Sequence, residues 1–538
     1  MAEIEAEIVI VGSGIAGALL AARLAQAGVK VAILEAGAKV DRAEATKLFW
    51  NAPLRTPECP YPPSPKADHP ISNDPDYWYR QTGPDKFKST YLKVVGGTTW
   101  HWLGSCLRFV PNDFRLCGAY RCGADWPITY EDLEPFYSEA EDEIGVSGDS
   151  TEALGSPRSA TYPMPAIPPT FMDIAYTQAL AGTRFEVRGT PQARNSISRG
   201  EKPPCCGNAS CIPICPIQAK YDATVHLSLA EKSGAVLHAQ TTATMVEVDS
   251  GHRIAAIRFK RWDGSEGKAV GKVFVLAAHA IETPRLLLNS LSEVTPNGVA
   301  NSSDQVGRNL MDHPVQLSWA LARAPVWPYR GPLSTSGIEN FRDGQFRKDR
   351  AAFRIEIGND GWAWPKGAPT TTASDLARLG LRGERLNSAL RSQASRHLRL
   401  TSLLEQLPDP DNRVTLDPNA SDIYGVPLPR IAYRLGAYIE AGLAAARAAH
   451  AEIFSALGAT EITHRDVAEG AGHIIGTARS GSHPKESVVD PNLRSHDHPN
   501  LFILGSAVFP TSATANPTLT IAALSLRAAG HVKATLTE

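Results

Sequence analysis

The sequence predicts an α/β protein whose Rossmann-like nucleotide-binding domain is interrupted by a large insertion. Three observations predict it: a strand–turn–helix–strand unit opens the chain, a mixed stretch of strands and helices follows, and the last residues return to a short strand and a helix. Residues 6–12 (Ala-Glu-Ile-Val-Ile-Val-Gly) read as a buried parallel strand. Ile15 to Ala25 carries Ala and Leu at helical spacing, and Lys30 to Leu34 is a second strand ending at Glu35. The Pro-rich stretch 52–70 reads as an extended surface excursion. Gly267 to Ala277 reads as one strand, closing in Val273–Leu276. Ser374 to Leu400 has a basic amphipathic helix pattern, better read as a solvated face packed on a domain than as a membrane or partner site. Tyr438 to Leu457 is a long Ala-rich helix, Phe502–Leu504 a short strand, and Thr518 to Gly530 a final helix.

Bulk properties narrow the classes. The chain has 538 residues, 43% hydrophobic and 20% charged, enough for two large domains with real cores. Lys plus Arg total 54 against 56 Asp plus Glu, which argues against nucleic-acid binding. No apolar run reaches the roughly 18 residues of a membrane span. The start, Met1-Ala-Glu-Ile-Glu, lacks the basic and apolar regions of a secretory signal. The expectation is a chain that stays in the cytoplasm or leaves it on a partner's signal.

The first turn reads Gly12-Ser13-Gly14-Ile15-Ala16-Gly17, between a strand and a helix. Gly12 permits the tight turn, Gly14 lets a pyrophosphate approach the backbone, and Gly17 allows helix and strand to pack closely. Glu35, 23 residues after Gly12, stands where a carboxylate meets a ribose diol and disfavours a 2′-phosphate. A dinucleotide is expected, without a choice yet between NAD and FAD.

Four of the eight cysteines fall between Cys205 and Cys215, spaced C-x5-C-x3-C-P from Cys205, with Cys206 adjacent. Clustered thiols suit an iron–sulfur cluster, a zinc ion or a pair of disulfides. Chemistry alone favours the cluster and leaves all three open.

Further motifs carry a resemblance that covers the whole chain. They are Leu34-Glu35-Ala36-Gly37, Val95-Gly96-Gly97-Thr98-Thr99-Trp100-His101-Trp102, Ile281-Glu282-Thr283-Pro284, Val306-Gly307-Arg308-Asn309-Leu310-Met311-Asp312-His313-Pro314 and Asn516-Pro517-Thr518-Leu519-Thr520-Ile521. Together with the first turn they resemble the glucose–methanol–choline (GMC) family of FAD oxidoreductases. Within it, the cysteine segment is most similar to catalytic subunits of membrane-linked sugar dehydrogenases, those acting on glucose, glucosides, fructose and gluconate.

The resemblance implies an FAD-binding domain over 1–312 and 462–538, with an iron–sulfur loop at 204–218. It implies an α+β substrate-binding domain over 313–461. FAD would lie against Gly12, Gly14, Gly17, Glu35, Gly96, Gly97, Thr98, His101, Trp102, Pro517 and Thr518, with His101 bonded covalently to the flavin. A 3Fe-4S cluster would sit on Cys205, Cys211 and Cys215, with Cys206 the alternative ligand. Alcohol oxidation needs a base near neutrality, which suits histidine, but any one of 15 histidines taken alone is most often structural. The family position selects His473 as base and Asn516 as the hydrogen-bond donor that orients substrate, while His313 reads as structural. The implied partners are a sugar, a small signal-bearing subunit and a multihaem cytochrome c subunit. Membrane association would then be through partners alone, at the periplasmic side of a bacterial inner membrane. An oxygen-using oxidase and a non-catalytic electron-transfer flavoprotein are the alternatives. The chain departs from the family at Gln218, where relatives carry Gly, an exchange expected to alter hydrogen bonding to the cluster. It departs again at Ala471-Gly472, where they tend to carry Asn-Asn, and at His279.

Overall fold

Ile8–Val11 and Val31–Leu34 are runs of β-branched and aliphatic residues buried on both faces, so they settle as neighbouring central strands of a parallel sheet. The computed structural model describes residues 2–52, 61, 79–89, 91–208 and 210–538. Most of the Pro-rich stretch, with Cys59, lies outside them. The parallel sheet has five strands in the order Leu501–Ile503, Val273–Leu276, Ile8–Val11, Val31–Leu34, Val236–His238. Helix Ile15–Gln26 covers it and packs on helices Thr224–Lys232 and Thr518–Ala534. Ile33 and Val275 are fully buried here. Truncating Ile33 to Ala would cost about 2–5 kcal/mol.

The stretch Gly267–Ala277 is two strands, not one. Glu266–Val270 pairs with Ala2–Glu5 and Ile254–Arg261 in a four-stranded sheet, and Val273–Leu276 enters the parallel sheet. Gly271 divides them where a Cβ would press on Ala6 O at 3.2 Å.

A second, antiparallel sheet runs in the order Thr460–His464, Pro314–Leu321, His397–Leu404, Phe353–Gly358, Ser336–Ile338, Val187–Gly189, with Glu469–Gly470 beside Pro314. Period-two alternation gives it two unlike faces. One carries Phe353, Ile355, Ile357, Leu398, Leu400 and Leu404, which pack under helix Ala437–Ala456. The other carries Arg354, Glu356, Arg399, Thr401 and Leu403. The expected single helix over 374–400 is instead Thr370–Arg378 and Gly383–Ala394, and its last residues form a strand. Gly380 and Gly383, both at positive φ, break the helix between the two. Among the described residues no helix is long and apolar enough to cross a membrane.

Candidate active site

The fingerprint glycines behave as their spacing requires. A Cβ on Gly17 would lie 2.0 Å from Gly12 O, so the helix touches the turn. Gly12 has φ +101, and a Cβ there would meet Ala277 O at 2.6 Å. Gly14 faces open space, and the helix that follows has no side-chain cap and no acid in its first turn. Its free N–H groups are therefore available to a pyrophosphate. Glu35 is buried and accepts from Ser13 N (3.0 Å), Ser13 Oγ (2.6 Å) and Gly37 N (2.8 Å). Burial raises its carboxyl above the usual range, against those hydrogen bonds. Gly96 and Gly97 dock on the same turn: Gly96 N donates to Ser13 Oγ at 3.1 Å, and a Cβ on Gly97 would lie 3.4 Å from Gly14 Cα.

Gly12, Ser13, Gly14, Glu35 and Gly97 open onto one cavity of about 1420 Å³, also lined by Thr98, His101, Trp102, His473, Asn516 and Thr518. That exceeds the roughly 300–1,000 Å³ of an ordinary ligand pocket and leaves room for a dinucleotide with a substrate. The terminal helix meets the cavity at Pro517 and Thr518, again with no side-chain cap. Its N–H groups suit negative charge on a bound flavin.

Facing the second sheet, His473 is half-buried and carries a polar relay. His313 Nε2 lies 3.0 Å from Ala513 O, and its Nδ1 lies 2.8 Å from His473 Nδ1. A carbonyl only accepts, so His313 holds its proton on Nε2 and its Nδ1 must accept. His473 therefore carries its proton on Nδ1 and leaves Nε2 with a lone pair. The far end agrees. Arg354 Nη1 only donates and lies 3.3 Å from Asn516 Oδ1, which turns Asn516 Nδ2 toward His473 Nε2 at 3.3 Å. Burial holds His313 at about 4 and His473 well below the ordinary imidazole value, so both rings are neutral. Asp312 accepts from the backbone N–H of His313 (2.7 Å) and of His473 (2.9 Å) and from Ser89 Oγ. Burial pushes its carboxyl up to about 6, against those bonds.

Asp312 and His313 follow the structure rather than the expectation of a purely structural motif. Their adjacency to His473 across 160 positions has no local signal. His279, without a role in the sequence, stacks near Tyr91 (4.2 Å between centroids) and accepts from Ile281 N at the start of a helix.

The cysteine loop sits beside the cavity. Arg194 Nη1 donates to Cys211 Sγ (3.3 Å) and Cys205 Sγ (3.7 Å). Gly207 N points at Cys205 Sγ (3.4 Å) and Lys220 N at Cys215 Sγ (3.5 Å). Burial raises the Cys211 thiol, but the charges of Arg194 and Lys220 outweigh it and bring it below its ordinary value. Cys206 is exposed. Among the described residues no disulfide forms, and no three cysteine sulfurs gather within 4.8 Å. Zinc would need them about 3.8 Å apart, from Zn–S bonds of about 2.3 Å. The N–H donors on the Cys205, Cys211 and Cys215 sulfurs suit thiolate ligands of an iron–sulfur cluster. Lys220 Nζ donates to the carbonyls of Trp100 (2.9 Å) and Trp102 (2.6 Å), so one residue ties the loop to the backbone on both sides of His101. Gln218 adopts φ 55, which explains why glycine suits this position, and its amide points at Asp222 and Thr224, away from the sulfurs. The expected effect on cluster hydrogen bonding is therefore not carried by its side chain.

A Rossmann turn leading into a cavity that ends at a buried histidine suits a flavin-dependent oxidoreductase. Residues 181–315 and 408–525 match the N- and C-terminal GMC oxidoreductase families, and residues 10–40 match an NAD(P)-binding Rossmann-like domain. The chain is 39% identical over 540 residues to the fructose dehydrogenase large subunit of Gluconobacter japonicus, covering 98% of each. It is 24% identical to the gluconate 2-dehydrogenase flavoprotein of Pantoea cypripedii, over 98% of this chain and 93% of that one. Pyridoxine 4-oxidase from Mesorbium loti shares the fold, with a TM-score of 0.63 at 18% identity over 98% of this chain and 99% of that one. The chain belongs to the GMC oxidoreductase family, and it is an FAD-binding oxidoreductase that acts on CH–OH groups.

Proposed function

We propose that the chain is the catalytic subunit of an FAD-dependent sugar or glycoside dehydrogenase that passes electrons to a cytochrome or a dye. The observation that carries it is the lone pair on His473 Nε2, fixed by the relay from Ala513 and facing the cavity. Bound FAD supplies the hydride acceptor. His473 Nε2 takes the proton of the substrate hydroxyl. Asn516 Nδ2 then donates to the substrate oxygen, its amide held in that sense by Arg354. Depressed basicity keeps His473 neutral and ready at ordinary pH. His101 and Trp102 lie where a flavin ring would pack, and burial holds the His101 imidazole at about 4, neutral and able to form the covalent link.

Cys205, Cys211 and Cys215 would hold a 3Fe-4S cluster, which supplies one-electron transfer. The donors on these sulfurs and the exposure of Cys206 support that ligand set. Residues 1–312 and 462–538 form the FAD side, and 313–461 most of the substrate side. The relative's designation as a large subunit supports partner subunits, and in this reading they are a small signal-bearing one and a multihaem cytochrome c at the periplasmic side of the inner membrane.

The test is a panel of glucose, methyl glucosides, fructose, gluconate and polyols with a dye acceptor, alongside iron and acid-labile sulfide analysis. Sugar-dependent dye reduction with iron present supports the reading. Turnover that needs oxygen and proceeds without iron would replace it with an oxidase.

A further inference from the structure

We propose that Glu356 selects substrate charge, accepting hydrogen bonds from the hydroxyls of a neutral polyol and turning away sugar acids. The inference rests on the reading of the chain as a sugar dehydrogenase and names its substrate class. Alternation along Phe353–Gly358 sends Ile355 and Ile357 into the core and Glu356 to the cavity face, opposite Thr401. Glu356 is 4% exposed, and its Oε1 has no hydrogen-bond partner among the described residues. A buried carboxylate oxygen left bare is costly, so a site that keeps one is built for a donor that arrives with the ligand.

The surrounding cations are engaged elsewhere. Arg354 donates to Glu339, Thr190 and Asn516, and approaches Glu356 Oε2 only to 4.0 Å. Arg399 lies across Gly358, where a Cβ would meet its guanidinium at 2.2 Å, and is bound to Asp360 and Thr401. Arg465 is paired with Glu469 at 2.8 Å, and Lys88 with Glu469 and Ala468 O. Glu356 thus keeps one carboxylate oxygen without a donor on the substrate wall, with Arg354 no nearer than 4.0 Å to its other oxygen. One Arg354 nitrogen lies 3.3 Å from Asn516 and 4.0 Å from Glu356, so the carboxylate reaches the sugar whose reacting hydroxyl lies at His473. Hydroxyls donate to a carboxylate in strong charge-assisted bonds, whereas an aldonate would set like charges together beside a buried carboxylate.

The experiment uses the FAD-loaded full chain with a dye acceptor, comparing the best neutral sugar of the panel with gluconate. Wild type should prefer the neutral sugar, and Glu356→Gln should lower kcat/KM for it by about tenfold or more, chiefly through KM. The same exchange should raise the gluconate-to-sugar ratio. Glu356→Asp, which keeps the charge, should retain the preference, and flavin content and melting temperature verify the fold of each variant. A wild type that prefers gluconate overturns the proposal. So does Glu356→Gln with kcat/KM within about twofold of wild type, short of the loss of one charged hydrogen bond. A wild type inert toward every sugar overturns the dehydrogenase reading as well, which separates the two failures.

Discussion

Replacing His313 by Leu tests the relay at its least obvious member. His313 Nδ1 is the acceptor for His473 Nδ1–H at 2.8 Å, and its Nε2–H serves Ala513 O at 3.0 Å. Leucine leaves the His473 Nδ1–H without a partner in a fully buried position, while Ala513 O keeps the Ser512 Oγ donor at 3.2 Å. The His473 Nδ1–H then has no acceptor, and only the Asn516 amide still opposes a proton on Nε2, so the tautomer with a free Nε2 loses stability. A buried hydrogen-bonding group left unpaired costs about 1–3 kcal/mol, which corresponds to about 5- to 150-fold in rate. The loss should fall on kcat, because the neutral sugar is still held by the sheet face. Glutamine restores the polarity, since its amide oxygen accepts from His473 and its NH2 donates to Ala513. Steady-state dye reduction over a range of pH should show His313→Leu slowed in kcat and His313→Gln largely recovered, both with full flavin. If His313→Leu is as fast as wild type, or if Gln rescues nothing while flavin and stability are intact, the donor logic is wrong.

Three other outcomes follow from the geometry. Cys206→Ser should keep its iron and Cys205→Ser should lose it, as elemental analysis of anaerobically purified protein will show; the reverse pattern would move the ligand to the exposed thiol. Acid precipitation should give a yellow pellet from wild type and a colourless one from His101→Asn, and a colourless wild-type pellet would remove the covalent link. Stability should fall as pH drops from about 7 to 5. Burial holds His101, His279, His313 and His397 at about 4 and His450 at about 3, so the unfolded chain takes up these protons first, near pH ~6.5. Their contribution is present above that pH and lost progressively below it. Asp312, pushed up to about 6, works in the opposite sense, as do Glu35, Asp113, Glu152 and Asp360, whose carboxyls burial also raises. His238, His464, His473, His498 and His531 are lowered too and add to the histidine side. A melting temperature flat or rising over this range would contradict the burial of these rings.

Local chemistry carried much of this protein openly. Gly12 and Gly17 announce their turn because only a residue without a Cβ tolerates 2.0–2.6 Å approaches to backbone, and such constraints are written position by position. The central strands are equally legible, since burial on both faces demands an unbroken apolar run. The cysteines announce a site by their density, though not which of an adjacent pair faces inward. Periodicity failed where its signal was interrupted by a backbone event of no fixed period. Gly380 and Gly383 break the 374–400 helix, and the boundary at Gly271-Lys272 falls between two β-rich segments only two residues apart.

What only the tertiary structure decided is the direction of the hydrogen bonds. His313 meets His473 across 160 positions and Ala513 across 200, and Arg354 meets Asn516 across 162. Those contacts depend on how two sheets are set against each other, and pairing at such range leaves no mark on either segment alone. The sequence by itself supplied the fold family, the nucleotide turn and the candidate base. The packing of the sheets turned one histidine into an orienting partner and left one carboxylate bare, because proton placement depends on which neighbour can only accept and which can only donate.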